Sequence, residues 1–195
     1  CHNPTGLDLT TQQWDEISSL VAESSLIPFF DFAYQGFGNG IEEDAYAIRA
    51  MARRGVPCLV ANSFSKNFAL YGERCGALTF VCPTPEQAEL TFAEMVNTVR
   101  ANYSNPPSHG AYIIANVLLN SRLYELWRGE VERMRIRLQS MRTALIEVLE
   151  RNNHGNRFRH LLETRGMFAL TGFNARQIES LRDEFAIYLV DSGRL

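Results

Sequence analysis

Pro57-Cys58-Leu59-Val60-Ala61-Asn62-Ser63-Phe64-Ser65-Lys66-Asn67 joins a short apolar run to a hydroxyl-rich turn that presents a lysine. The run is rich in Val, Leu and Cys and follows Gly55, which predicts a buried strand. Lys66 then stands just past the end of a sheet strand. Partial desolvation there favours the neutral amine, the form that attacks a carbonyl. On position alone, an ordinary solvated surface lysine is the commoner outcome.

Upstream, Leu26-Ile27-Pro28-Phe29-Phe30-Asp31-Phe32-Ala33-Tyr34 is a second apolar run. It ends in a carboxylate flanked by aromatics, where a charge is costly unless paired. By itself Asp31 reads equally well as a capping or salt-bridged residue. Glu42 to Arg54 is predicted as a helix with Ala45, Ile48 and Ala52 inward, ending at Gly55. Strand, helix, strand is the right-handed crossover unit of a mostly parallel sheet, and ligands collect at the carboxyl ends of such strands. Asp31 and Lys66 both fall at that edge. The intervening Gln35-Gly36-Phe37-Gly38-Asn39-Gly40 fits neither a P-loop nor a dinucleotide fingerprint and reads as a flexible turn.

Trp14, Ile17, Leu20 and Val21 have helical spacing, with Asp8, Thr10 or Thr11 available to cap the start. Ala77 to Cys82 is predicted as a strand. A helix follows from Thr84 or Pro85 to about Val99, with Leu90, Met95 and Val96 on its apolar side. Arg100 to Pro107 is predicted to be irregular because of Pro106 and Pro107, and a helix resumes from His109 to Asn120. From Ser121 to about Asn152 runs one long amphipathic helix, its stripe formed by Leu123, Leu126, Trp127, Val131, Met134, Leu138, Met141, Leu145 and Val148. At ~45 Å it is long for one compact layer, and a coiled coil is the alternative on sequence alone. Met167 to Thr171 and Ile187 to Val190 are predicted strands around a helix from Asn174, a candidate N-cap, to Phe185.

Composition sets outer limits. The 195 residues are 46% hydrophobic and 21% charged with a formal net charge of -3, the profile of a globular chain with a sizeable core. Nothing in that balance points to nucleic acid or an anionic membrane, and no run is long enough to span a bilayer. Cys1, Cys58, Cys75 and Cys82 form no C-x-x-C pair, which reads as reduced cytoplasmic usage. His2, His109, His154 and His160 lack metal-ligand spacing, so no metal is expected.

Four motifs in order carry a resemblance: His2-Asn3-Pro4-Thr5-Gly6, Asp31-Phe32-Ala33-Tyr34-Gln35-Gly36-Phe37, the run from Asn62 to Gly76, and Arg100-Ala101-Asn102-Tyr103-Ser104-Asn105-Pro106-Pro107. Together they resemble the aspartate and aromatic amino-acid aminotransferases, pyridoxal-phosphate enzymes of the class I aminotransferase family. The likeness runs the whole length of the chain. It implies an α/β fold of fold-type I, with residues 1–133 as the C-terminal part of a large cofactor domain and 134–195 as part of a small domain, joined by the helix at about 121–152. It also implies a piece of a longer protein, lacking a phosphate loop, a ring-stacking aromatic residue and a short C-terminal tail.

The resemblance assigns roles to residues that are unremarkable by themselves. Lys66 holds pyridoxal 5'-phosphate covalently and moves the substrate's alpha proton. Asp31 keeps the pyridine nitrogen protonated, since an adjacent anion favours the cation. Tyr34, otherwise one more core aromatic, and Asn3, otherwise a turn residue, face the phenolic oxygen. Ser63, Ser65 and Arg74 hold the phosphate, which a guanidinium fork and hydroxyls suit. Arg194, otherwise a solvated terminal charge, clamps the substrate's alpha-carboxylate. Arg100, otherwise a helix C-terminal charge, reaches across a homodimer interface to the distal carboxylate.

The implied reaction moves an amino group between an L-amino acid, aromatic or aspartate, and 2-oxoglutarate in a cytoplasmic enzyme. Glu42 to Arg49 leans slightly towards aromatic members, and Ala69 departs from the glycine-type residues of many relatives. The alternative is a non-catalytic effector-binding domain of a transcription regulator.

Overall fold

The computed structural model describes residues 1–195. Its elements are α1 (Thr11–Ala22), β1 (Phe29–Phe32), a 3-10 turn (Glu43–Ala45), α2 (Tyr46–Arg53), β2 (Cys58–Ser63), β3 (Gly76–Val81), α3 (Pro85–Tyr103), α4 (His109–Leu119), α5 (Ser121–Arg151), α6 (Gly155–Phe158), a second 3-10 turn (Arg159–Leu162) and α7 (Ala175–Phe185). They form two compact units. One comprises Leu9–Gln35 and Ile41–Glu130; the other comprises Cys1–Asp8, Gly36–Gly40 and Val131–Leu195. No helix is long and apolar enough to cross a membrane.

The first of these units is built on a three-stranded mixed sheet in the order β1-β2-β3. β1 and β2 are parallel, with Asp31 opposite Ala61, as a helical crossover requires. β3 runs antiparallel to β2, because the segment after β2 turns straight back without a crossover helix, and Ser63 pairs with Gly76. A Cβ at residue 76 would meet the Asn62 carbonyl oxygen at 2.5 Å, so glycine is what lets β3 start against β2. Met51, Val56, Cys58 and Val60 form the core, with Ile17, Val21, Phe30, Phe32, Ile48 and Val81 packed on it.

Pleating explains one departure from expectation. Phe30 and Phe32 point into that core, so Phe29 and Asp31 alternate to the exposed face of β1. The Asp31 carboxylate is therefore solvated and needs no buried partner, despite its aromatic neighbours.

Helix ends follow local chemistry. Thr10 caps α1: its Oγ1 accepts from the Gln13 N–H at 3.2 Å while its own N–H donates to Gln13 Oε1 at 2.9 Å. Within α1, Leu20 is exposed rather than inward, and in α2 it is Ala47, Ala50 and Met51 that are buried while Ala52 is exposed. Thr84 caps α3 with Pro85 in the first turn, and the helix continues to Tyr103. Arg100 to Tyr103 are thus helical rather than irregular, because Pro106 constrains only the residue before it and Ser104 ends the helix at φ 72. The apolar side read for α3 does not meet a core here: Leu90 and Val96 are exposed, and α3 buries no residue.

The second unit gathers three separated segments. The Arg165 N–H donates to the Gly6 carbonyl and the Gly166 N–H to the Phe37 carbonyl, which stitches the Asn3-to-Gly6 turn and the 36–40 turn to residues 164–166. A Cβ on Gly6, at φ +69, would meet the Phe168 carbonyl oxygen at 2.2 Å, so this seam requires glycine. Ile146 of α5 packs with Phe158, Leu161 and Ala169. On the α5 stripe Val131 is buried, but Leu126, Met141 and Val148 are more than half exposed.

The two strands expected at 167–171 and 187–190 do not form. An extended segment needs a ladder partner, and 167–171 finds only a single antiparallel bridge, Leu170 to Arg194. Ile187, Tyr188 and Val190 stay exposed without one. α7 is capped as expected, by an Asn174–Gln177 capping box.

Candidate active site

At the carboxyl edge of the parallel pair, β1 hands over to Tyr34 and β2 to the turn that carries Lys66. The turn is closed by the Phe68 N–H bonding the Phe64 carbonyl and the Ala69 N–H bonding the Lys66 carbonyl. Lys66 is half-buried, and its Nζ lies 4.6 Å from the centroid of the Tyr34 ring. That spacing is within cation–π range. Lys66 and Tyr34 are therefore brought together.

Other candidates share that edge. Ser65 is buried and its N–H donates to Ser63 Oγ at 3.3 Å, so both hydroxyl residues belong to one turn. Asp31 is exposed near the end of β1. Arg74 stands just before β3 with φ 50, exposed, and its Nη1 donates to the Tyr71 carbonyl at 3.1 Å. Arg100 lies apart from these, exposed in the last turn of α3.

Asn3 and Arg194 belong to the second unit. Arg194 Nη1 donates to Asn3 Oδ1 at 3.0 Å, and its guanidinium carbon lies 4.6 Å from the Phe168 ring centroid. The Leu170–Arg194 bridge fixes the backbone that carries it. Half-buried Arg142 donates to the carbonyls of Gly166 and Phe168. Burial, followed by the charge of Arg165, holds the Arg142 pKa below the ordinary arginine value.

Four residues to which the sequence assigned no place in a site come forward in this geometry. Asn67 and Trp127 brace the Lys66 turn, Phe168 lies against Arg194, and Arg142 bonds the backbone carbonyls of Gly166 and Phe168. No sequence signal marks Phe168 or Asn67 for such a place. One overlooked signal is compositional: of the 19 lysines and arginines, Lys66 is the only lysine. No cluster of three or more His, Cys, Asp or Glu side chains could hold a metal ion, and all four cysteines are free.

A sheet whose carboxyl edge presents a lone lysine beside a tyrosine, with a carboxylate and two serines on the same strand ends, defines an α/β protein with a lysine-bearing site at the end of its parallel pair. The chain belongs to the aminotransferase class I and II family, whose family model matches residues 1–195. Over 195 residues it is 52% identical to the tyrosine aminotransferase of Klebsiella pneumoniae and 44% identical to the aspartate aminotransferase of Escherichia coli, covering 100% of this chain and 49% of each relative. The solved aromatic amino-acid aminotransferase of Psychrobacter superposes with a TM-score of 0.96 at 49% identity, and that of Burkholderia pseudomallei, covalently bound to pyridoxal phosphate, with 0.97 at 42%. Each structural match covers 100% of this chain and 49% of the other. The chain thus spans about half the length of the relatives it matches. All of these relatives are named as enzymes, and the regulator reading gains no support from them.

Proposed function

We propose that the chain is the lysine-bearing half of an aminotransferase that moves an amino group between an L-amino acid and 2-oxoglutarate, using pyridoxal 5'-phosphate. The observation that carries this reading is the sole lysine, Lys66, held over Tyr34 at the carboxyl edge of the parallel β1–β2 pair. The donor set fits the cofactor by its chemistry: one amine for an aldehyde, a solvated carboxylate for a ring nitrogen, and hydroxyls with a guanidinium for a phosphate.

When bound, pyridoxal phosphate supplies an electron sink for the bonds at the substrate's alpha carbon. Lys66 Nζ would hold the group covalently and move the proton at that carbon. Asp31 would hold a proton at the ring nitrogen, and Tyr34 and Asn3 would donate to the phenolic oxygen. Ser63, Ser65 and Arg74 would bind the phosphate. Arg194 would orient the substrate by its alpha-carboxylate, through a fork that lysine cannot reproduce. Arg100 would reach the distal carboxylate in the neighbouring subunit of a homodimer.

The domain reading goes with this: 1–133 belongs to the large domain and 134–195 to the small one; the division of α5 between compact units after Glu130 supports the boundary, while Cys1–Asp8 and Gly36–Gly40 group with the second unit. The higher identity to the tyrosine enzyme than to the E. coli aspartate enzyme supports aromatic substrates beside dicarboxylic ones. A cytoplasmic location is supported by the four free cysteines.

The test is glutamate formation by the full-length protein from 2-oxoglutarate with L-tyrosine or L-aspartate as donor. Glutamate from both donors in wild type, and from neither in Lys66→Ala, is the expected result. Equal rates in the variant would refute the role of Lys66.

A further inference from the structure

We propose that Asn67 is a positioning residue that sets where the Lys66 amine sits, an inference that rests on the catalytic reading of Lys66 given above. Asn67 follows Lys66 directly and is only 5% exposed. Its Nδ2 donates to the backbone carbonyl of Gln35 at 3.2 Å, and Gln35 directly follows Tyr34. One side-chain hydrogen bond therefore ties the lysine's turn to the tyrosine's loop. The span it closes is the same one across which Lys66 Nζ faces the Tyr34 ring at 4.6 Å.

The other side of the same residue is held too. Trp127 Nε1 on α5 donates to the Asn67 backbone carbonyl at 2.8 Å. The Trp127 ring stacks on Phe68 with centroids 4.7 Å apart and planes 24° from parallel, and Phe68 meets Phe64 edge-on at 5.6 Å. The residue after the lysine is thus gripped from two elements, and the one after that is packed between aromatic rings. Such a brace limits the turn to a single geometry and leaves the lysine's own side chain as the part that moves.

Asparagine at this position carries a cost as well as a bond. Its Oδ1 is buried and has no hydrogen-bond partner. An unsatisfied buried acceptor is destabilising, and the bond from Nδ2 to the Gln35 carbonyl, which an apolar side chain would leave without its donor, offsets part of that cost. The amide is retained with its donor turned to Gln35 and its acceptor unmet. A buried polar atom left unmet calls for a reason, and here the reason lies in the placement of the donor between the lysine's turn and the tyrosine's loop.

The test uses full-length Asn67→Ala, with Trp127→Phe as a second variant that keeps a ring on Phe68 but removes the indole N–H. Two readouts are taken. In cofactor-free protein, the rate at which an acylating reagent labels the Lys66 amine is read by mass spectrometry on the Lys66 peptide. In loaded enzyme, kcat and KM are separated. The expected result is labelling of Lys66 about fivefold faster in Asn67→Ala, the worth of one hydrogen bond, with a smaller rise in Trp127→Phe. The kcat should fall about tenfold with KM little changed, a smaller loss than the roughly hundredfold that misplacing a reacting group by about 1 Å can cost.

Wild-type labelling and kcat in both variants would overturn the proposal. So would a lowered melting temperature with unchanged labelling, which would make Asn67 merely structural. Lys66→Ala is run beside them. Full activity there would sink the catalytic reading itself, whereas its inactivity with unperturbed Asn67→Ala would sink only the positioning role.

Discussion

Arg194 donates from Nη1 to Asn3 Oδ1 at 3.0 Å, joining residues from opposite ends of the chain. The same guanidinium lies against the Phe168 ring, so its plane is held before any substrate arrives. Replacing it by lysine removes both the planar fork and the stacking. Arg194→Lys should lower kcat/KM for the amino-acid donor roughly a hundredfold, about 2.7 kcal/mol, while the melting temperature changes little. Steady-state kinetics of the full-length variant check this, and a loss under fivefold would argue against the carboxylate clamp.

Ala69, two residues beyond Asn67, stands in the left-handed region at φ 55 and is exposed. An L-residue is strained there by about 1–2 kcal/mol, and glycine is not. Part of the gain is offset by the greater freedom of glycine in the unfolded chain. Ala69→Gly should therefore stabilise the protein by about 0.5–1 kcal/mol, read as a higher denaturant midpoint. A lower midpoint would contradict the backbone argument.

Asn174 begins α7 through a reciprocal pair: its Oδ1 accepts from the Gln177 N–H and its N–H donates to Gln177 Oε1, each at 3.0 Å. Asn174→Ala should cost about 1 kcal/mol. Chemical denaturation measures it, with Gln177→Ala expected to lose a smaller share.

Burial raises the pKa of the Cys58 thiol above its ordinary value of 9.0. Folded chains then keep a proton that unfolded chains release as the pH climbs. The sign follows: this contribution is intact below pH 9.0 and is lost as pH rises above it. Stability should fall by up to about 1.4 kcal/mol per pH unit in that window, and Cys58→Val should flatten the dependence. Cys58, only 1% exposed, should also be the slowest of the cysteines to react with a thiol reagent.

The parallel strand pair and the helix caps were legible from local sequence because each depends on a few adjacent residues. The Pro57-to-Asn67 run has one apolar stretch, one turn and one lysine, and the structure places them as strand, turn and lysine. Asn174 was legible for the same reason, whereas Thr10 was one of three candidate caps and Thr84 one of two candidate helix starts. The direction of β3 was not, since it depends on whether the connection holds a helix, and the loop before Gly76 is irregular. The strands at 167–171 and 187–190 failed because alternation records a half-buried surface and not the existence of a ladder partner. Asp31 was misjudged on its neighbours: the pleat separates it from Phe30 and Phe32, which the sequence sets beside it.

The site was legible only through residue types with specific chemistry. Lys66 stood out only as a lysine at a strand end, and Tyr34 and Ser65 took their roles from the family resemblance rather than from the residues themselves. The pairing of Arg194 with Asn3 could not be read, because it closes over the length of the chain. Asn67 was out of reach because its contribution lies in two hydrogen bonds to residues distant in sequence.

The most direct measurement is the site of covalent attachment. Full-length protein loaded with pyridoxal phosphate is reduced with borohydride, digested and mapped by mass spectrometry. The added mass of the reduced cofactor should appear on the peptide carrying Lys66, and on no peptide of Lys66→Ala. Attachment at a different lysine of the full-length protein, or none at all, would contradict the assignment of Lys66 and with it the aminotransferase reaction proposed for this site.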